Sequence, residues 1–419
     1  MRVTFLTLVL LTLAVPAVAQ TVAITNAKVY PVSGPPITNG TVVIRDGLIV
    51  AVGDHVSVPA GAQAIDATGK TVTPGLINSL TEMGVSEIGQ VRDTNDVAAK
   101  GTNNIAAAFK VWDGLNPASM SFASTRNEGV TTVIVAPRGG LISGQAAAID
   151  LGTGHVADVL RRSPVAMIAQ ISSAAAAGTT ARGELIGKLR VLLDDVKFYM
   201  THSGDYDRSE TRSLSAPAAD LQALIPVVQG KMPIVIDADS MAEIDAALAL
   251  ARDYKLQIMI SGGAEAWLSA DRLAAARVPV LTGAMNNIPG SFATLNQRQE
   301  NAALLRRAGV TVVLVGNDDN DESRFNARNI KYEAGNAVAY GMSYDDALRA
   351  VTLAPAEAFG LSDHIGSLQA GRDANLVIWS GDPFEFSTRV EHVFIRGREI
   401  KEKSRQDMLT DRYKPGARR

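Results

Sequence analysis

The apolar positions divide the chain into three zones: short alternating runs at both ends, and a long middle where continuous β-branched runs take turns with helical stretches. Near the start, Val22 to Val29, Thr41 to Arg45, Leu48 to Val52 and Thr71 to Thr73 alternate in twos, the period of a half-buried strand. Asp46-Gly47 separates two of these runs and predicts a two-residue hairpin turn. The far end mirrors this pattern, with Ala374 to Ile378 and His392 to Ile395 as strands and Arg396-Gly397 turning into Arg398 to Ile400. The reading is a small β-sandwich assembled from both termini, residues 20–73 plus 361–405, followed by a tail over 406–419.

Residues 74–360 form the middle. Its candidate strands are Leu76 to Ser79, Thr131 to Ala136, Ala146 to Leu151, Ala166 to Ile171, Ile234 to Ala238, Gln257 to Ile260, Pro279 to Thr282 and Thr311 to Val315. Runs such as Thr132-Val133-Ile134-Val135 are apolar throughout, as strands buried on both faces require. Alternation with helical stretches predicts βα units, a parallel sheet and a TIM-like (β/α)8 barrel; an open doubly wound sheet has the same periodicity. Ala146 to Leu151 is the least strand-like run and also reads as part of an active-site loop. Gly183 to Met200 and Met241 to Tyr254 are helical, the second opened by a capping box of Ser240 and Glu243. Residues 201–217 and Tyr413 to Arg419 are polar and turn-rich, and are expected to be mobile.

A hydrophobic content of 47% supports a sizeable core, and a formal net charge of -3 gives no basic surface for nucleic acid or an anionic membrane. Residues 1–19 read as a signal peptide: Arg2, an apolar stretch from Phe5 to Val15, then Ala17-Val18-Ala19 as a small-x-small cleavage site. Cleavage after Ala19 would leave a periplasmic or secreted chain without stable membrane insertion. Cysteine is absent, which excludes disulfides, thiolate metal ligands and a cysteine nucleophile.

The middle opens on Thr73-Pro74-Gly75-Leu76-Ile77-Asn78-Ser79-Leu80-Thr81-Glu82-Met83-Gly84. This segment resembles the first barrel strand of the amidohydrolase superfamily, where Pro-Gly-Leu-Ile-Asp precedes a metal-binding His-x-His pair; Leu80 and Glu82 stand at the two histidine positions. Asn39 to Ile49 and Ile65-Asp66-Ala67-x-Gly69-Lys70 resemble that family's N-terminal half-sandwich. Ala350 to Gly360, and Ile365-Gly366-Ser367-Leu368 through Gly371-Arg372-Asp373-Ala374-Asn375-Leu376-Val377, resemble its closing helix and returning strand. The resemblance, to the imidazolonepropionase-like or peptidase-like branch, implies a barrel whose strand ends hold one or two divalent metals. It also implies hydrolysis of carbon-nitrogen bonds in small amide or peptide-like molecules, by a metal-activated water.

Carried over position by position, Asp237 stands where strand five usually has His, and strand six runs Ser261-Gly262-Gly263-Ala264-Glu265 without one. Strand eight keeps an Asp, assigned to Asp318. None of His55, His155, His202, His364 and His392 falls on a barrel strand end, and Lys197 sits in a helical pattern. Glu82, Asp237, Glu265 and Asp318 are therefore the candidate metal ligands, joined at the rim by Asp239, with Asp318 also the catalytic candidate. An all-oxygen set suits Mg, Mn or Ca better than Zn. The other reading makes these carboxylates leftover polar residues at an open rim, partnered by Arg138 or Lys331. Arg138 and Gln145, on the loop Pro137 to Gln145, are candidate substrate contacts, as are Trp267 and Arg328; each also reads as a turn, packing or ion-pair residue. Three functions follow: a hydrolase with an altered metal site, a non-catalytic ligand-binding relative, or a partner subunit. The barrel would pair with a copy of itself or with an active homologue.

Overall fold

The computed structural model describes residues 21–88, 91–172, 181–285, 287–290, 294–316 and 327–414. The proposed leader, Asp318 and the last five residues lie outside these. No helix among the described residues is long and apolar enough to cross a membrane.

Strands from both chain ends build one sheet. β1 (Val22–Val29), β2 (Ile37–Arg45), β3 (Leu48–Gly53), β4 (Gln63–Asp66) and β5 (Thr71–Pro74) come from the start. β14 (Leu376–Trp379), β15 (Val390–Ile395) and β16 (Arg398–Glu399) come from the end, and the order is β16-β15-β14-β5-β1-β2-β3 with β4 beside β1. The two dipeptide turns form as read. Asp46 and Gly47 sit at φ 53° and 85°, Arg396 and Gly397 at 47° and 73°, and both central residues of each turn have the positive φ of a type I′ hairpin. Trp379 on β14 is fully buried and donates from Nε1 to Thr73 Oγ1 at 2.9 Å. Gly129, at φ 90°, lies so close to this ring that a Cβ there would overlap it.

The middle is an eight-stranded sheet in sequential order that curls into a nearly closed barrel. Its strands are β6 (Leu76–Thr81), β7 (Val130–Val135), β8 (Ile142–Asp150), β9 (Leu160–Gln170), β10 (Ile234–Ala238), β11 (Ile258–Gly262), β12 (Val280–Thr282) and β13 (Val312–Leu314). A doubly wound sheet would reverse its order partway; this one does not. Ile77, Ile134, Ala146, Ile168, Val235, Met259, Leu281 and Val313, one from each strand, share the interior cluster with Phe359, Leu361 and Ile365. Alternate residues such as Val133, Met167, Ile236, Ile260 and Val312 face the other way, into the helices. Burying each of the larger side chains contributes roughly 1.5–3 kcal/mol.

One strand departs from the expected parallel sheet. β8 runs antiparallel to both β7 and β9, and it is a full strand rather than a loop. The connection from Val135 to Ile142 is too short for a helical crossover, and with Gly139 and Gly140 at φ 85° and 76° it turns back as a hairpin. β7 pairs only with the second half of β8, through Ala147 to Asp150. The first half is paired instead by the excursion that follows β6. Ile105 and Lys110 bridge to Ile142 and Gln145, Ala106 N donates to Ile142 O at 2.9 Å, and Gln145 N donates to Phe109 O at 2.9 Å.

The helix Met241–Tyr254 carries its capping box, with Ser240 Oγ accepting from Glu243 N and the Glu243 carboxylate accepting from Ser240 N at 3.0 Å. The helix read as Gly183 to Met200 spans Arg182–Asp207 with a kink at His202 (φ -128°, ψ 25°), so the stretch 203–207, expected to be mobile, continues as a helical turn beyond it. Likewise Arg405–Tyr413, read as tail, is a helix capped by Ser404.

At the opposite end of the barrel from the strand C-termini, Asp150 joins the two domains. Its carboxylate accepts from Arg161 Nε and Nη2 at 2.9 and 2.7 Å, Arg396 Nε at 2.8 Å, Thr132 Oγ1 at 2.8 Å and Asn375 Nδ2 at 3.2 Å. Burial pulls the Arg161 guanidinium down, but the charges and hydrogen bonds of Asp150 and Asp373 outweigh it and hold it above its ordinary range.

Candidate functional site

The C-terminal strand ends surround a cavity of about 210 Å³. It is walled by Asn78 to Glu82 after β6, Ala136 to Arg138 after β7, Ile168 and Gln170 of β9, Val235 and Asp237 of β10, Ser261 and Gly262 of β11, and the ends of β12 and β13. A parallel barrel strand points its C-terminus and following loop at this face, which is why consecutive sequence motifs converge here.

β6 does not run straight into the mouth. Its pairing with β7 is irregular between Asn78 and Thr81, where Leu80 adopts φ 59°. A left-handed conformation costs a leucine on the order of 1–2 kcal/mol, which the surrounding packing offsets. Leu80 lies against the apolar barrel interior, so a position the family resemblance gives to a metal ligand contributes hydrocarbon instead.

Glu82 is buried, and its Oε1 pairs with Arg138 Nε at 3.0 Å. Arg138 is held in turn by its own N–H, which donates to Val97 O at 3.1 Å. Asp237 reaches the cavity and accepts from Ser172 Oγ at 2.6 Å through Oδ2. Asp239 lies beside it and accepts from Ala264 N at 3.3 Å. Gly262, at φ 81°, leaves room for both acids: a Cβ there would fall against Asp239 Oδ1 and 3.3 Å from Asp237 Oδ1.

Other residues singled out in the sequence lie away from the cavity wall. Glu265 accepts from Met241 N at 3.0 Å and from Asn296 N and Nδ2 at 3.2 and 3.0 Å, so it serves a helix N-terminus and a loop. The Gln145 side chain donates to Ala107 O at 2.9 Å, fixing the excursion to β8. Trp267 donates from Nε1 to Asn296 O at 2.8 Å, with Arg298 stacked 4.9 Å from its ring. Arg328 is exposed on a short turn. Lys331 is not a rim partner: it is buried near the start of β7, with Nζ 2.5 Å from Glu128 Oε2. Asp318 lies outside the described residues.

The donor set can be tested against a divalent ion. Among the described residues no three His, Cys, Asp or Glu side chains stand together as a metal-holding group. Glu82 and Asp237 line the cavity, but each is engaged by a protein partner, Leu80 cannot ligate, and Glu265 is directed elsewhere. The described residues therefore do not fit the family's metal.

Residue-by-residue reading missed Asn78 and Ser79. Both are buried in the cavity wall, and among the described residues Asn78 Oδ1 and Ser79 Oγ find no hydrogen-bond partner. The signal was visible, since Asn78 stands where the resembled motif has Asp.

A model of the Amidohydrolase family matches residues 284–400. The imidazolonepropionase of Acidiphilium cryptum is 24% identical over 390 residues, covering 83% of this chain and 89% of that protein. Amidohydrolase tasK of Hapsidospora irregularis is 23% identical over 391 residues, and the match spans 85% of this chain but only 39% of that longer protein. The crystal structure of an amidohydrolase from Thermotoga maritima superposes with a TM-score of 0.81 at 26% identity, covering 91% of this chain and 100% of that one. With the strand-one motif at the mouth, a near-closed barrel and a second sheet drawn from both ends, the chain belongs to the amidohydrolase superfamily.

Proposed function

We propose that the barrel mouth binds a small amide or peptide-like molecule through hydrogen bonds and the Glu82–Arg138 pair, without a metal-activated water. The observation that carries this reading is a polar cavity kept at the strand ends while the described side chains at ligand positions are paired or apolar. Its volume of about 210 Å³ is below the usual range for drug-sized ligands and favours something as small as a lactam or dipeptide fragment. A second reading is hydrolysis of a carbon-nitrogen bond with an altered site, as the imidazolonepropionase relatives suggest. It is favoured by Glu82 and Asp237 lining the same cavity.

Elemental analysis of the purified mature protein, with a turnover screen of dipeptides, acyl amino acids and lactams, separates the two. Ligand-dependent thermal stabilisation without stoichiometric metal or turnover supports binding. Stoichiometric metal with turnover overturns it in favour of hydrolysis. We place the protein in the periplasm or outside the cell after removal of residues 1–19, working as a dimer of itself or beside an active relative; fractionation and co-purification test both.

A further inference from the structure

We infer that the helix Arg405–Tyr413 is a docking face for an anionic lipid surface, a role independent of what the barrel mouth binds. None of its nine residues is buried, although Met408, Leu409 and Tyr413 are large and apolar, at 55%, 37% and 72% exposed. A helix this short is marginal in water by itself. Its first turn is fixed by the Ser404 capping box, and Asp407 Oδ2 accepts from Asn127 Nδ2 at 3.3 Å, beside the helix Met120–Arg126. That tie sets which side looks outward. At 100° per residue, Arg405, Met408, Leu409, Arg412 and Tyr413 fall within an arc of about 140°, and Asp407 lies opposite its middle. All five are exposed. The two acids of the helix are engaged off this arc: Asp407 by Ser404 and Asn127, Asp411 by Lys403 Nζ at 2.6 Å and Lys414 Nζ at 3.6 Å. The outward face therefore carries three apolar side chains and two guanidiniums without an acid. Met120, 52% exposed, extends its apolar part, with Sδ accepting from Arg405 Nη1 at 3.4 Å.

The whole-chain charge of -3, read above as leaving no basic surface, averages this face away: Arg405, Arg412, Lys414, Arg418 and Arg419 face only Asp407 and Asp411 in the sequence from 405 to 419. Charge and apolar area together select the occupant. A second copy meeting this face with its own would set Arg405 and Arg412 against the same guanidiniums, with no acid to pair them. An anionic phospholipid surface offers phosphates to the arginines and acyl chains to Met408 and Leu409, with the Tyr413 ring at the boundary. Arg412 already lies 5.5 Å from the centre of that ring, so both polar tips sit at one level. The contact is peripheral, lying in the interface plane.

Flotation with vesicles tests this on the mature protein without residues 1–19, so that the apolar leader contributes nothing. The probes are vesicles of phosphatidylglycerol with phosphatidylethanolamine, and vesicles of phosphatidylcholine alone. The expected result is at least about tenfold stronger partitioning onto the anionic vesicles, lost at high salt. Arg405→Gln with Arg412→Gln should weaken it roughly thirtyfold, and Met408→Ser with Leu409→Ser should also release the protein. These side chains are exposed, and thermal melting checks that the variants fold; if they do not, the lipid and salt comparison on the wild type still decides. Absence of binding to the anionic vesicles overturns the inference, as does equal binding to both kinds. Undiminished binding by the folded arginine variant overturns it by placing the contact elsewhere. Binding to polyglutamate as tight as to vesicles, and indifferent to the Met408 and Leu409 substitutions, overturns it in favour of an acidic protein partner.

Discussion

Replacing Asp150 by Asn tests whether a single buried carboxylate locks the sheet domain onto the barrel. The substitution keeps the shape and exchanges one acceptor oxygen for an NH2 group. Whichever way the amide turns, a donor then meets donors: Arg161 Nε, Thr132 and Asn375 on one side, Arg161 Nη2 and Arg396 Nε on the other. Breaking a buried ion pair from one side costs about 3–5 kcal/mol. Two features put this case at the low end. Arg161 keeps Asp373, with Nη1 2.6 Å from Oδ2, and the Arg396 side chain, 41% exposed, can rehydrate. A cost of about 3 kcal/mol raises the opening equilibrium of the joint roughly a hundredfold. Hydrogen exchange by mass spectrometry reads this directly at the amides of Ala374, Gly397 and Arg396, which bond to Gly47 O, Ala374 O and Asn375 Oδ1. Peptides across 371–379 and 392–399 should exchange about a hundredfold faster, while β10 and β11 keep their protection. Unchanged exchange in the two joint peptides would refute the argument that Asp150 holds the domains together.

Two further perturbations bear on stability and on the site. Gly262→Ala places a side chain at φ 81° against the Asp239 carboxylate, so it should lower stability by about 1–2 kcal/mol from backbone strain alone, and shift thermal melting accordingly; an unchanged melting temperature would show that the Asp237–Asp239 corner is loose. Burial pushes the Asp195 carboxyl up, but the Arg212 guanidinium and the Ser215 N–H, 2.6 Å away, outweigh it and hold it below its ordinary 3.8. A depressed folded value gives stability that is fully present above 3.8 and is lost as pH falls below it through the lower folded value. The melting-temperature gap between the wild type and Asp195→Asn should therefore hold steady near neutrality and close in acid; a gap that persists at the lowest pH tested would contradict the pairing.

The barrel strands were legible because each carries a buried apolar run, and the hairpins because Asp-Gly and Arg-Gly supply the positive φ their turns require. The direction of β8 was not, since period-two alternation is the same for parallel and antiparallel pairing; the short link from Val135 to Ile142 was the available clue. At the site, Glu82 and Asp237 were found because the motif fixes their place on a strand. Glu265, Gln145 and Trp267 were misplaced because a residue just beyond or within a strand can direct its side chain along the rim, and only the partners Met241, Ala107 and Asn296 reveal which way it goes. Asn78 was passed over because sequence shows which atoms can accept a hydrogen bond but not which are left without one.

The excursion over residues 105–110 covers the half of β8 that β7 leaves unpaired. Shortening it to widen the mouth would expose a row of backbone donors and acceptors on an apolar strand. Such an edge recruits strands from other molecules. For anyone reshaping this barrel, the tolerant sites are therefore elsewhere on the rim. Trimming this segment should cost solubility before it alters what the cavity admits.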